Sequence, residues 1–188
     1  REGAPNTQNY PLRGGKGALY EGGIREPMMV RWPGVTRAGS ITDQYVAIQD
    51  FYPTLLEMAD IRNYKTVQTI DGKSMVPYLK NSALRDNNRA LIWNFPNDWA
   101  GKRFGTDNSF LAAIRQGDWK LLYFEESGHL ELYNVRKDIK ESHDVAARYP
   151  EKTRALAKRL TEELKASDAQ RPTYRSTGRP VPWPDQVK

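Results

Sequence analysis

Cysteine is missing from this 188-residue chain, and histidine occurs only twice, at His129 and His143. Without cysteine there is no disulfide framework, which leaves the compartment undecided. No apolar run comes near the roughly 20 residues that a membrane-spanning helix requires, and no export signal is visible. A stripe of one charge sign is missing too. The 29 Lys and Arg are scattered among 23 Asp and Glu, for a net charge of +6, rather than gathered beside stacking aromatics. That dispersal argues against a nucleic-acid surface, while the positive balance suits an anionic ligand. Apolar content of 38% is low but compatible with a folded core, given five Trp and ten Tyr.

Glycine, by contrast, is concentrated near one lysine. Residues 13 to 34 read Arg-Gly-Gly-Lys-Gly-Ala-Leu-Tyr-Glu-Gly-Gly-Ile-Arg-Glu-Pro-Met-Met-Val-Arg-Trp-Pro-Gly. Lys16 stands among Gly14, Gly15 and Gly17, where backbone can approach a ligand without interference from a Cβ. Gly22 and Gly23 permit a second tight turn. The following run, Met28 to Trp32, reads as a short strand closed by Pro33-Gly34, apolar enough for a parallel sheet covered on both faces. A cation on a glycine-lined loop just before a buried strand suits an anion, although most lysines flanked by glycine are simply solvated. Glu21 and Arg25, on either side of the second turn, read as a pair that fixes the loop rather than one that touches a ligand.

Further on, Asp50 is a good N-cap for a helix with Pro53 in its first turn. Leu55, Leu56 and Ala59, with Phe51 or Tyr52, mark the face expected to bury. Residues 62 to 88 form an irregular bridge with a helical turn near Met75 to Lys80. Ala90 to Phe95, Phe110 to Arg115, Trp119 to Phe124 and Leu130 to Tyr133 then predict a four-strand antiparallel meander, with Gly117-Asp118 as a primed turn. Pro150 opens a last helix whose buried stripe is Leu156, Leu160 and Leu164. The proline-rich residues from Arg171 onward read as a tail that lies over the surface or is disordered.

Several of these segments, in this order, resemble the type I sulfatases, arylsulfatase-like members of the alkaline-phosphatase superfamily. They are Asn9-Tyr10-Pro11-Leu12, the Lys16-Gly17 to Pro27 run, Trp32-Pro33-Gly34, Asp50 to Glu57, Asp71-Gly72-Lys73-Ser74, Ala113 to Leu121 and Glu131-Leu132-Tyr133-Asn134. The resemblance spans residues 5 to 165 and implies an α/β fold. In that fold, residues 1–62 are the end of an alkaline-phosphatase-like α/β core and residues 63–88 a bridge. Residues 89–168 form an α+β C-terminal subdomain, a four-stranded antiparallel sheet packed with a helix, and residues 169–188 a tail.

The resemblance further implies hydrolysis of sulfate esters, aryl or carbohydrate, with Lys16 contacting the sulfate group. Asn94, Asn97, Trp99 and Lys102 occupy the stretch that helps form the substrate rim in relatives. Both histidine positions of that stretch carry asparagine here, and a solvated loop remains the alternative reading. The family's nucleophile is a formylglycine made from Cys or Ser two residues before Pro, and no serine of this chain stands in that setting. Its metal-binding Asp-Asn pair and catalytic histidines precede the lysine loop. Asp107-Asn108, His129 and His143 lie downstream of it and do not correspond.

The nucleophile and a calcium or other divalent cation are therefore expected from a missing N-terminal part of the same protein, with no metal bound by this chain. The expected partners are a sulfated small molecule or glycan and that missing part, with self-association open to the chain alone. The family implies an exported, periplasmic or cell-surface parent. Two alternatives stay open: a phosphodiesterase or phosphatase of the same superfamily, and a non-catalytic packing or glycan-binding module.

Overall fold

The computed structural model describes residues 9–97 and 111–187. The chain divides into two compact units, Arg1–Glu26 together with Asn88–Lys188, and Pro27–Asn87. In the larger unit the lysine loop packs with the C-terminal sheet.

The larger unit is built on that sheet. Strands β1 (Ala90–Phe95), β2 (Leu111–Gln116), β3 (Trp119–Phe124) and β4 (His129–Asn134) pair antiparallel in the order β1-β2-β3-β4. Gln116 pairs with Trp119, so Gly117-Asp118 is a two-residue hairpin loop. Its glycine has φ 56°, the positive value that a primed turn demands. Ala112, Ile114, Leu121, Tyr123 and Leu132 share one face by strand alternation and form a core with Leu156, Ala157, Leu160 and Leu164. These last four come from the helix that closes the chain's core, Pro150–Ala166. Each buried leucine of that stripe contributes about 1.5–3 kcal/mol of transfer free energy.

Leu111, Ala113, Leu122 and Tyr133 point to the other face. They pack with Ala18, Leu19 and Tyr20. A sheet buried on both sides explains why β2 is buried along nearly its whole length. One cover is a helix, and the other is the lysine loop.

Residues 171–187 are the tail expected to lie on the surface or to be disordered. They are anchored. Thr173 and Pro180 form a bridge, Val181 is buried, and the Tyr123 hydroxyl donates to the Pro182 carbonyl at 2.6 Å. Trp183 lies between Arg171 and Lys165, whose cations stand 4.5 and 5.3 Å from its ring.

The smaller unit departs from expectation in two places. Met28 to Trp32 forms no strand. Met29 is 98% exposed, and Met28 and Val30 are exposed as well. An extended apolar run becomes a strand only when a neighbouring strand takes up its N–H and C=O groups, and no strand among the described residues pairs with this run. The expected helix exists at Phe51–Met58, but its buried residues are Pro53 and Thr54. Phe51, Tyr52 and Leu55 face outward, and Leu56 is half-buried.

Polar bonds decide that orientation. The Thr54 hydroxyl donates to the Asp50 carbonyl at 2.5 Å and accepts from the Met75 N–H at 2.8 Å. Asp50 does not cap the helix. Its carboxylate accepts from the N–H groups of Ala47 and Lys73, at 2.7 and 2.9 Å. Gly72 is required at this junction, since a Cβ there would stand 2.0 Å from the Gln49 carbonyl oxygen. A short helix, Val76–Lys80, follows.

Candidate active site: the lysine turn

Lys16 occupies the second position of a turn closed by the Ala18 N–H on the Gly15 carbonyl, at 2.9 Å. Gly17, in the third position, has φ 95°, which glycine adopts at no steric cost. The side chain of Lys16 is exposed. Ala18, Leu19 and Tyr20, immediately after it, are buried against the sheet. A short helix, Glu21–Ile24, follows.

Gly22 and Gly23 are explained by close backbone approach. The Gly22 N–H donates to the Arg13 carbonyl at 2.8 Å. A Cβ on Gly22 would come within 2.4 Å of the Gly14 carbonyl oxygen, and one on Gly23 within 2.0 Å of that of Ala18. No larger residue fits without opening the turn. The five glycines of this loop therefore build a doubled-back ring of main chain with one ammonium on its outer edge.

Two sets of polar contacts clamp the ring onto the sheet. At its N-terminal end the Arg13 guanidinium lies over the Tyr20 ring, 3.8 Å from the centroid. It donates to the Tyr133 hydroxyl and to the Glu141 carbonyl, both at 3.0 Å. The hydroxyls of Tyr20 and Tyr133 each donate to Glu131 Oε2, at 2.7 and 2.8 Å. Burial and the neighbouring carboxylate raise the pKa of both phenols, so both remain donors at every pH of interest.

At the C-terminal end of the ring stands a buried charge quartet. Glu21 Oε2 accepts from Arg115 at 2.7 Å and Glu21 Oε1 from Lys120 at 3.1 Å. Lys120 Nζ also makes an ion pair with Glu141 Oε1 at 2.8 Å. The Glu21 N–H donates to Glu141 Oε2 at 2.6 Å. Glu21, Lys120, Glu141 and Arg115 are all buried, and two acids balance two bases. Burial alone would raise the Glu21 carboxyl, but Lys120 and Arg115 outweigh it, and its pKa is lowered. For Glu141 burial wins over Lys120, and its pKa is raised.

Glu21 thus has the fixing role that its place beside the Gly-Gly turn suggested. Arg25 is a minor partner, 3.8 Å away and half exposed. Lys120, Arg115, Arg13 and Glu141 did not emerge from sequence patterns. One signal for two of them was available: Arg115 and Lys120 are direct cross-strand partners on a buried face. Like charges opposite one another are unfavourable, so such a pair requires an anion between them. Glu141 left no such mark. It has φ 50°, unusual for a residue other than glycine. The preceding turn holds it there, with Asp138 Oδ2 accepting from the Ser142 and His143 N–H groups, both at 2.9 Å.

Asn94 is not beside Lys16. Asn94 pairs with Ala112 and so belongs to the sheet face that the long helix covers, opposite the lysine loop. Its amide donates to the Gln170 carbonyl at 3.3 Å. Asn97 is exposed just past the end of β1. Trp99 and Lys102 lie outside the described residues, as does Asp107-Asn108. Among the described residues no group of three or more His, Asp or Glu side chains could hold a metal ion, and no helix is long and apolar enough to cross a membrane.

The lysine turn thus lies on one face of a four-strand sheet whose other face a long helix covers. Residues 15–170 match the family model described as N-sulphoglucosamine sulphohydrolase, C-terminal, and the chain belongs to this C-terminal family of the sulfatases. A protein named "Sulfatase" from Formosa agariphila is 36% identical over 164 residues, which cover 85% of this chain and 30% of the relative. Among solved structures, Ps i-CgsB in complex with k-i-k-neocarrahexaose superposes with a TM-score of 0.69 at 27% identity, covering 87% of this chain and 34% of that one. BT4656 in complex with its substrate D-glucosamine-2-N,6-O-disulfate superposes with a TM-score of 0.56 at 25% identity, covering 73% and 28%. The chain spans about a third of the length of the relatives it matches.

Proposed function

We propose that this chain is the C-terminal part of a sulfuric ester hydrolase and that Lys16 binds the sulfate group of its substrate. The observation that carries this reading is the construction of the lysine turn. A ring of five glycines and a buried, charge-balanced quartet fix the main chain that presents one exposed lysine side chain. A solvated loop lysine needs no such support. As an S–O bond breaks, negative charge grows on the sulfuryl and leaving oxygens, and a positioned cation stabilises it most when it need not reorganise.

The substrate class proposed is a sulfated glycan. Two structural neighbours support it: BT4656 is described with a disulfated glucosamine and Ps i-CgsB with a neocarrahexaose. Asn97, followed by Trp99 and Lys102, stays the proposed rim, where amides can meet sugar hydroxyls. Type I sulfatases use a divalent metal. That cation, calcium or another, and the formylglycine nucleophile are proposed to come from another part of the polypeptide. The exposed apolar side chains Met29, Ile48, Phe51, Tyr52 and Leu55 would pack against that part, and in the chain alone they favour self-association.

The test is Lys16→Ala in the complete enzyme, assayed on a chromogenic aryl sulfate and on a sulfated monosaccharide. Loss of one positioned charge-stabilising donor lowers kcat/KM by about two to three orders of magnitude. A loss under about threefold would remove Lys16 from the site. The chain by itself is expected to show no turnover above a mock preparation.

A further inference from the structure

Both ends of the lysine turn reach the same residue, 120 or more positions away in the sequence. Arg13, before the turn, donates to the backbone carbonyl of Glu141 at 3.0 Å. Glu21, after it, gives its N–H to the Glu141 carboxylate at 2.6 Å. The other oxygen of that carboxylate faces Lys120 at 2.8 Å, and Lys120 also holds the Glu21 carboxylate at 3.1 Å. Lys120 is on β3 and is fully buried, as is Glu141. The chain between the two anchors, Gly14 to Tyr20, closes on itself through the Gly22 N–H and the Arg13 carbonyl. This arrangement fixes the main chain that carries Lys16.

We propose that Glu141 is a positioning residue for Lys16: through its carbonyl and its carboxylate it ties both ends of the lysine turn to the sheet, so that the sheet sets the place of the ammonium. The activity arm of this inference rests on the reading of Lys16 as the sulfate-binding residue, and the exchange arm does not. The tie is unequal: a side-chain change at Glu141 releases the Glu21 N–H, whereas the bond from Arg13 to the Glu141 carbonyl is main chain and persists. The tie gives the C-terminal sheet a part in catalysis although it supplies no nucleophile. Substrate meets Lys16, and the sheet decides whether Lys16 is in register with it.

Two variants test this. Glu141→Asn suits the left-handed backbone of the position, because Asn tolerates φ near 50°, but its side chain is one methylene too short to reach the Glu21 N–H. Glu141→Gln keeps the reach and an acceptor oxygen. Hydrogen exchange on the 188-residue chain is the first measurement. In Glu141→Asn the amides of residues 18–23 are expected to lose about tenfold or more protection beyond any loss in β2 and β3, as local opening on top of a global loss of stability requires. Glu141→Gln restores the acceptor but not the charge opposite Lys120, and is expected to recover that excess loss in residues 18–23. Wild-type protection of residues 18–23 in both variants would overturn the proposal. So would equal loss in the loop and in the strands of both variants, since Glu141 would then be a general stability element.

The second measurement is a double-mutant cycle in the complete enzyme, on the same aryl sulfate. Glu141→Asn is expected to lower kcat/KM about tenfold or more, with most of the effect in kcat. Added to Lys16→Ala, it should cost less than about twofold, because a residue that acts through Lys16 has nothing left to position. Full additivity of the two losses would overturn the proposal. If Lys16→Ala itself leaves activity intact, the sulfate-binding reading fails, and the exchange result alone decides whether Glu141 fixes the turn.

Discussion

Replacing Lys120 by methionine should damage this protein more than any surface substitution. Lys120 Nζ lies 3.1 Å from a Glu21 oxygen and 2.8 Å from a Glu141 oxygen, and the side chain has no exposure to solvent. The quartet of Glu21, Glu141, Arg115 and Lys120 then changes from net neutral to one uncompensated negative charge. Methionine fills much of the same volume, so the loss is electrostatic rather than a cavity. Removing one partner of a buried ion pair costs about 3–5 kcal/mol, a large share of a stability of about 5–15 kcal/mol.

The pH dependence distinguishes this cause from simple misfolding. Lys120 lowers the pKa of both carboxylates, against burial, which raises it. In Lys120→Met both folded-state values rise, and Glu141, already above the ordinary carboxylate value, takes up a proton more readily than in the unfolded chain. The deficit is therefore complete above the raised folded values and shrinks as pH falls toward the unfolded carboxylate value near 4.5. Urea unfolding of wild type and variant at pH 8 and pH 5, followed by tryptophan fluorescence and circular dichroism, reads the difference directly. A Lys120→Met/Glu141→Leu double variant should recover part of the loss, because it removes the stranded charge. A deficit below about 1 kcal/mol at pH 8, or one of equal size at both pH values, would refute the account of a buried, balanced quartet.

Other consequences are independent of the site. Leu160→Asp puts an unpaired carboxylate in the middle of the fully buried helix stripe, and the sheet unit should lose cooperative unfolding at 25 °C; a variant with the wild-type melting temperature and circular dichroism would contradict the packing described. Glu125 is buried, with one carboxylate oxygen lacking any partner, and burial raises its pKa to about 7. Its folded pKa lies above the unfolded one, so it destabilises increasingly as pH rises from about 4.5 to 7. Glu125→Gln should therefore stabilise by about 3 kcal/mol at most at pH 8 and by nothing near pH 4, and equal denaturant midpoints for the two proteins at pH 8 would count against it.

The sequence alone carried the meander and its helix. Alternation over Trp119 to Phe124, a Gly-Asp hairpin and a leucine at every fourth helical position are local signals, and local hydrogen bonding satisfies the elements they specify. The lysine turn was also legible, because glycines crowd around one cation there and the surrounding run resembles a family. The strand at Met28 to Trp32 was not decided locally. A strand needs a partner's backbone, and an apolar run cannot announce whether one is present. The helix Phe51–Met58 shows the same limit in another form: its apolar face was readable, yet the bonds of Thr54 and Asp50 to residues 73 and 75 turned that face outward. Only the tertiary structure brought Glu141 and Lys120 to the lysine turn. Their roles depend on charges that meet across more than ninety residues of chain, and a buried ion pair has no sequence period to reveal it. Glycines marked the lysine turn in the sequence, and the contacts that hold its main chain come from residues far from it in sequence.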